Sequence, residues 1–415
     1  MKKYVIIGNG TASVGCIEGI TSVDPHAEIT VISEENHHVY GRPLISYYLE
    51  GMTDIKRMKY RPNDFYEKHG CTVLYGKKAV KIDSAATEVV LDDGSKIKYD
   101  ELCVATGSSP FVPPFEGLDT VEKKFSFMTL DDALALEKAI DETSRVLIVG
   151  AGLIGLKCAE GIAHRVKSIT VCDLAPRVLS SILDDECAAM MQKKLEENSI
   201  SFLLGNSVKR FEKNKAFMND DTVVEFDVCV LAVGVRPNVS LVKDIGGKVG
   251  RGILTDSSMK TTVENVYAVG DCTESYDITS GESKILAILP NAYMQGRCAG
   301  ENMAGKESVF EKSIPMNSIG FFGLHVMTAG TYFAEEQGGT LYEEKGEEKI
   351  KRLYTKDDKL CGFIIIGETD RVGIYTSLIR EQTPLSSIDF DAVRENPSLI
   401  AFGKNYRCKT LGGVV

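Results

Sequence analysis

Tyr4-Val5-Ile6-Ile7-Gly8-Asn9-Gly10-Thr11-Ala12-Ser13 decides the fold. Its first four residues suit a strand buried on both faces, and they enter a glycine-rich turn without a linker. A helix-compatible stretch follows to Ile20, a break falls at Asp24-Pro25, and a second strand, Glu28-Ile29-Thr30-Val31-Ile32, ends beside Glu34. In that context Gly8 supplies the tight turn, Gly10 lets a pyrophosphate approach the backbone, and the helix N-terminus, with Thr11 and Ala12, faces it. Ser13 stands where a third glycine is expected and is small enough to keep the helix near the strand. Glu34, 24 residues beyond Gly10, is placed to accept hydrogen bonds from a ribose. Glu35 competes for that role.

One glycine-rich turn is weak evidence, but the pattern recurs. Arg145-Val146-Leu147-Ile148-Val149 is a second strand, followed by Gly150-Ala151-Gly152-Leu153-Ile154-Gly155 with all three glycines. The next strand, Ile169-Thr170-Val171-Cys172, ends at Asp173, 21 residues after Gly152. Two complete units imply two dinucleotide sites. Leu102-Cys103-Val104-Ala105-Thr106-Gly107 and Val230-Leu231-Ala232-Val233-Gly234 are matching strand-to-glycine endings, each closing one nucleotide-binding half. Val266-Tyr267-Ala268-Val269-Gly270-Asp271 is a third. Its acid, Asp271, can reach sugar or ribityl hydroxyls.

These ordered motifs resemble the FAD- and NAD(P)-dependent pyridine nucleotide–disulfide oxidoreductase superfamily over about residues 1–310. The stretch Tyr40-Gly41-Arg42-Pro43-Leu44-Ile45-Ser46-Tyr47-Tyr48-Leu49-Glu50-Gly51 is most similar to the NADH:rubredoxin reductases and the flavin module of NAD(P)H nitrite reductase large subunits. The resemblance implies an α/β fold: two Rossmann-like dinucleotide-binding domains, as in glutathione reductase, plus an α+β C-terminal domain. It implies FAD on the first fingerprint and NAD(P)H on the second, with residues 1–110 and 247–315 forming a split FAD domain around an NAD(P)H domain at 111–246. Residues 316–415 would be a cap and dimer interface. It also implies that Arg42 and Pro43 line the FAD and that the backbone near Val80 meets the adenine.

Three departures from that family narrow the chemistry. The loop that carries a redox cysteine in disulfide reductases holds Leu44, and the nearest cysteines are Cys16 and Cys71. No CxxC or CxxxxC spacing occurs among the 11 cysteines, so no thiolate is placed to attack a disulfide. Cys103, Cys172 and Cys229 in strands and Cys158 on a helix read as small buried hydrophobes. Tyr47 replaces a lysine frequent in relatives, and Lys157 replaces their usual glutamate two residues after the third glycine. A lysine and a glutamate facing each other across the flavin–nicotinamide contact would explain the joint change, with Lys157 restoring the cation from the other side. A solvated helix lysine is the alternative.

Asp173 would bond a 2′-hydroxyl and repel a 2′-phosphate, which favours NADH over NADPH; Arg177 is the feature that would accommodate the phosphate. Leu289-Pro290-Asn291 looks like a helix start, with Pro290 where its missing N–H costs nothing. In the family that N-terminus points at the flavin, where its positive dipole end favours the charge that develops on hydride arrival. The transfer itself needs no protein acid or base. His37 and His38 sit near the flavin loop and could relay protons, though two adjacent histidines in a loop are more often exposed and idle.

The 415 residues carry a net charge of −11, 43% hydrophobic and 26% charged residues. That balance argues against nucleic acid and against a polybasic membrane anchor. An N-terminal apolar run of only four residues and no long apolar stretch lead to the expectation of a cytoplasmic protein with reduced thiols. Residues 316–415 show no metal-ligand spacing, and no metal site is expected. Lys56-Arg57-Met58-Lys59-Tyr60-Arg61 places four basic residues in six within this acidic chain; it is either a solvated face or a steering patch for an acidic partner. The C-terminal stretch reads as hairpin strands around a charged turn, Glu343–Lys349, with helices near 374–381 and 389–395.

The expected function is therefore hydride transfer from NADH to FAD and onward electron transfer to a small acceptor protein, rubredoxin-like or iron–sulfur. The alternatives are an NADH oxidase and a non-catalytic flavin-loaded sensor or subunit.

Overall fold

The computed structural model describes residues 2–332, 337–404 and 407–408. The chain divides into two compact units: Met1–Ser275 with Ala287–Phe310, and Tyr276–Leu286 with Glu311–Val415.

The first unit holds two five-stranded parallel sheets with one strand order. In the first sheet the order is Val266–Ala268, Glu101–Val104, Lys3–Ile7, Glu28–Ser33, Cys71–Tyr75. In the second it is Lys124–Phe125, Val228–Leu231, Arg145–Val149, Ser168–Asp173, Ile200–Leu204. Each central strand feeds the fingerprint turn and a helix, Thr11–Val23 or Leu153–Ile162. After their first residues, Lys3 and Arg145, the two central strands are apolar because both sheet faces are covered there, and Val5, Ile6, Leu147 and Ile148 are all buried. Two short antiparallel strands, Ser108–Pro110 and Val235–Pro237, join the halves. Asn238 ties that crossing together: its side-chain amide donates to the Thr106 carbonyl at 2.9 Å and its backbone N–H to that of Gly107 at 3.0 Å.

The helix Leu289–Met303 lies against Thr11–Val23 at unusually short range. A Cβ on Gly15 or Gly19 would fall on the carbonyl oxygens of Tyr293 and Arg297, and one on Gly296 or Gly300 on those of Ala12 and Cys16. Two facing Gly-x-x-x-Gly patterns let the backbones touch.

The second unit is a five-stranded antiparallel sheet, in the order Met316–Phe321, Leu324–Gly330, Lys359–Ile366, Lys349–Lys356, Thr340–Gly346. Phe363, Ile365, Tyr375, Leu378 and Val393 share its core. Its helices run Gly373–Arg380 and Phe390–Glu395, the latter capped by the Asp389 carboxylate, which accepts from Ala392 N–H at 3.1 Å. The charged run expected as a turn is largely strand. Glu343 pairs with Arg352 at 2.6 Å and Glu344 with Lys351 at 2.9 Å across the hairpin, so cross-strand ion pairs carry the charges. Among the described residues, no helix is long and apolar enough to cross a membrane.

Candidate functional site

The first glycine of each fingerprint is dictated by the strand ending beside it. Gly8 has φ +112° and Gly150 φ +118°, and a Cβ at either would collide with the carbonyl oxygen of Ala105 or Ala232. The motif and its strand-to-glycine ending are thus one steric device, used twice. The second glycines, Gly10 and Gly152, are the N-caps of their helices and receive no side-chain cap. A Cβ added at either would have no heavy atom within 4 Å. Free helical N–H groups with an open approach are what a pyrophosphate requires. At the third position a Cβ on Gly155 would strike the Gly150 carbonyl, whereas Ser13 donates its hydroxyl to the equivalent Gly8 carbonyl at 2.8 Å. The departure from glycine is compensated by a hydrogen bond.

Three elements converge at the first fingerprint. Gly270 lies with its Cβ position 3.2 Å from Ala12 Cβ and 3.7 Å from Ala292 Cβ, between the starts of the two glycine-packed helices. Its N–H donates to Gln295 Oε1 at 2.7 Å, which fixes the turn that presents Asp271. Burial pushes the Asp271 carboxyl above its ordinary value, opposed in part by the charge of Arg42. A desolvated acid beside two helix N-termini suits hydroxyl donors of a ribityl chain or sugar. The Leu289–Met303 helix starts on Pro290 without a side-chain cap, leaving its positive end bare. Open glycine backbone, two uncapped helix ends and a buried acid fit FAD.

The loop after Ser33 gives its two glutamates different partners. Glu35 accepts from Tyr40 Oη at 2.6 Å and pairs with Arg42 at 2.5 Å, while Arg42 also donates to the Met128 carbonyl at 3.0 Å. Glu34 stands on the surface with Lys78, 2.8 Å away, and is the acid left at the strand end. Thr106 and Gly107 lie at the crossing, and Val80 is half exposed on a neighbouring strand. His37 and His38 are half-buried, where the sequence led one to expect exposed groups. His37 Nε2 lies 2.7 Å from an Asp131 carboxylate oxygen, and the His38 ring packs on Tyr66 with centroids 5.0 Å apart.

At the second fingerprint, both Asp173 oxygens accept backbone N–H groups, Ala151 at 2.7 Å and Ala175 at 2.8 Å. The acid therefore braces the glycine turn from the end of the next strand. Arg177 is engaged by Asp185 at 2.8 Å and by the Leu183 carbonyl at 3.1 Å. Gly234 has φ +112° with open space at its Cβ position.

Tyr47 and Lys157 meet. The helices Leu44–Glu50 and Leu153–Ile162 touch where a Cβ on Gly161 would press on the Ser46 carbonyl. There the Lys157 ammonium sits over the Tyr47 ring, 4.5 Å from its centroid, and pairs with the buried Glu160. Glu160 carries no obvious signal in sequence; only the three-residue spacing from Lys157 hints at it. No cysteine joins the site as a thiolate. Cys272, next to Asp271, is buried and pushed up to about 11, and Cys71 and Cys172 to about 12, by burial. Among the described residues no group of three or more His, Cys, Asp or Glu could hold a metal ion.

Comparison with known proteins places this geometry. The profile of the family described as pyridine nucleotide-disulphide oxidoreductase matches residues 2–296. The assimilatory nitrate reductase electron transfer subunit of Bacillus subtilis is 30% identical over 390 residues, covering 92% of this chain and 50% of that one, so this chain spans half of that relative. The NADH-dependent phenylglyoxylate dehydrogenase subunit epsilon of Aromatoleum evansii is 31% identical, covering 93% of each. An NADH oxidase of Methanocaldococcus jannaschii is 33% identical, covering 88% of this chain and 87% of that one. The crystal structure of the covalent putidaredoxin reductase–putidaredoxin complex shares the fold at a TM-score of 0.84 and 22% identity, covering 92% and 94%.

Proposed function

Because the chain belongs to the pyridine nucleotide-disulphide oxidoreductase family, whose members are FAD-binding, NADH-dependent oxidoreductases, we propose that it is an NADH-dependent flavoprotein that passes electrons to a small redox protein or partner subunit. It does so without a redox disulfide. The observation that carries this reading is the convergence of two uncapped helix N-termini and Asp271 at a site no thiolate shares.

When bound, the flavin supplies hydride acceptance from NADH and release of electrons singly. The chain's own residues do the rest. The Gly8–Ser13 turn and the Thr11–Val23 helix hold the FAD pyrophosphate, Glu34 its ribose and Asp271 its ribityl hydroxyls. Arg42, Pro43, Ala105, Thr106 and Gly107 line it, and the Val80 backbone meets the adenine. The Pro290 helix end faces the flavin with its positive dipole and favours negative charge there. Gly150, Gly152, Leu153, Ile154 and Gly155 take the NADH pyrophosphate, Asp173 its ribose, and Gly234 leaves room beside it. Lys157, held by Glu160 over Tyr47, supplies the cation at the contact between the halves. Residues 1–110 and 247–315 serve FAD, 111–246 serve NADH, and 316–415 form the interface of a homodimer. The two relatives named as an electron transfer subunit and as a dehydrogenase subunit support a protein acceptor.

A second reading, an NADH oxidase, is favoured by the 33% identical relative of that name. One experiment separates the two: anaerobic reduction with NADH, then reoxidation by oxygen, rubredoxin, ferredoxin and coenzyme A disulfide in turn. Fast reoxidation by an iron protein and slow reoxidation by oxygen is the expected outcome. Rapid turnover of NADH in air without added acceptor would establish the oxidase instead, and reoxidation by the disulfide would overturn the thiol argument.

A further inference from the structure

The loop between Gly51 and Lys59 carries its apolar and basic side chains outward on a fixed frame. Met52 is 62% exposed and Ile55 42%, two large apolar groups within four residues, and Lys56 and Arg57 beside them are exposed. The Asp54 carboxylate accepts the backbone N–H groups of Lys56 at 2.8 Å and Arg57 at 3.0 Å and pairs with the Arg57 guanidinium at 3.5 Å, so the turn holds both side chains in solvent with one of the two positive charges partly offset. Met58 is fully buried as the anchor. The loop returns directly to the flavin loop: Gly41 N–H donates to the Met58 carbonyl at 2.9 Å and Tyr60 N–H to that of Val39 at 3.0 Å. At its other end it leaves a seven-residue helix that begins immediately after Pro43, about 10 Å long at 1.5 Å per residue.

The structure also removes one residue from the basic run. Arg61 is half-buried, paired with Glu18 at 2.8 Å and stacked over Tyr60 at 4.5 Å, so its charge is already engaged. What remains is two exposed apolar groups beside Lys56, Lys59 and the Arg57–Asp54 pair, a locally positive rim on a chain whose net charge is −11. Apolar groups at the centre and charges at the rim are the anatomy of a transient protein interface. On an acidic body, a local positive patch draws an acidic partner to one place and repels it elsewhere.

We infer that Met52, Ile55, Lys56 and Arg57 form the docking surface for a small acidic iron–sulfur or rubredoxin-type carrier. The inference rests on the protein-acceptor reading above and names its surface. The rigid link from this loop to Val39–Gly41 gives the carrier a fixed place near Arg42 and Pro43.

The test uses the full-length flavoprotein with rubredoxin as the probe and benzoquinone, which needs no docking, as the control acceptor. Three proteins are compared across ionic strength: wild type, Lys56→Glu/Arg57→Glu, and Met52→Ser/Ile55→Ser. We expect wild-type kcat/KM for rubredoxin to fall with salt, the charge-reversed protein to lose about tenfold at low salt and its salt dependence, and the serine variant to lose affinity at all salts. Benzoquinone reduction and flavin bleaching by NADH stay at wild-type rates. Rubredoxin kinetics unchanged in both variants would overturn the surface while leaving the function standing. A wild type that reduces benzoquinone but no iron carrier would overturn the function and the surface with it. Variants that become monomeric while still reducing rubredoxin normally would assign the patch to a second copy of this chain, which also overturns the proposal.

Discussion

The Lys157 ammonium lies over the face of Tyr47, 4.5 Å from the ring centroid, with the Glu160 carboxylate bonded to its other side. Lys157 is 16% exposed and Glu160 6%, so the cation–π contact acts in a largely dry setting, where such contacts are worth about 2 kcal/mol. The two residues come from separate dinucleotide-binding halves and occupy the two positions that depart together from the family pattern. Lys157 thus sets one cation where the helices Leu44–Glu50 and Leu153–Ile162 touch. Tyr47 then gives that cation a face instead of a clash.

Replacing Lys157 with Met should slow flavin reduction by NADH about tenfold, equal to about 1.4 kcal/mol of barrier, while Lys157→Arg retains most of the rate. Stopped-flow absorbance at the flavin band measures it. An unchanged rate in Lys157→Met would mean that the lysine only packs.

NADH should be used in preference to NADPH, and Asp173→Ala should lower kcat/KM for NADH about tenfold or more without raising that for NADPH to the wild-type NADH value. The acid holds Ala151 N–H besides its proposed ribose role, so its loss loosens the turn for either nucleotide. Steady-state kinetics with both coenzymes decide it. Equal wild-type affinities would contradict the assignment.

Asp271→Asn should weaken FAD binding about tenfold or more yet make the FAD-free protein more stable at neutral pH. Burial raises the Asp271 carboxyl above its unfolded value. Between those two values the folded FAD-free chain holds a proton that the unfolded chain has released. Its contribution is therefore complete below the ordinary carboxyl range and is lost as pH rises through the raised value. Asparagine has no such loss. Melting curves of the FAD-free proteins from pH 4 to 8, with FAD titrations at pH 7, test both halves.

Gly300→Ala should destabilise the protein by about 1–3 kcal/mol, because its methyl group would meet the Cys16 carbonyl and push the two helices apart. Thermal unfolding reads the loss, and bound FAD after gel filtration should fall with it, since those helices carry both N-termini of the site. Gly305→Ala, where nothing lies near the Cβ position, is the comparison for positional effects, though its φ of +93° adds local strain.

Alkylation by iodoacetamide at pH 7.5 should leave NADH-driven flavin bleaching intact. The thiols of Cys71, Cys172 and Cys272 are pushed up to between about 11 and about 12, so they hold almost no thiolate. Parallel loss of activity and labelling at any cysteine but the exposed Cys408 would show a working thiol.

Much of this was legible in the chain itself. Strand, glycine turn, helix and acid are local in sequence, their spacing is set by backbone geometry, and each fingerprint therefore announces its own fold and ligand class. The absence of a cysteine at Leu44 was readable the same way, because a missing residue needs no coordinates. What was not legible lies in contacts between distant segments. The charged run at 343–349 looked like a turn because its pairing with Arg352 and Lys351 is a cross-strand relation. His37 looked idle because Asp131 is 94 residues away. The facing glycines at 15, 19, 296 and 300 could have been noticed as a repeated spacing, but only packing shows that the two patterns face each other.

Sequence by itself determined two dinucleotide-binding units, FAD with NADH, and the lack of a cysteine at Leu44, since motif order and residue identity suffice for those. Tertiary structure alone decided that Glu35 is committed to Arg42 while Glu34 stands on the surface with Lys78, that Arg61 is engaged by Glu18, and that Lys157 meets Tyr47. The reason is physical: a charged side chain takes its role from whichever opposite charge, ring or solvent the fold brings within a few ångströms, and that neighbour is seldom near in sequence.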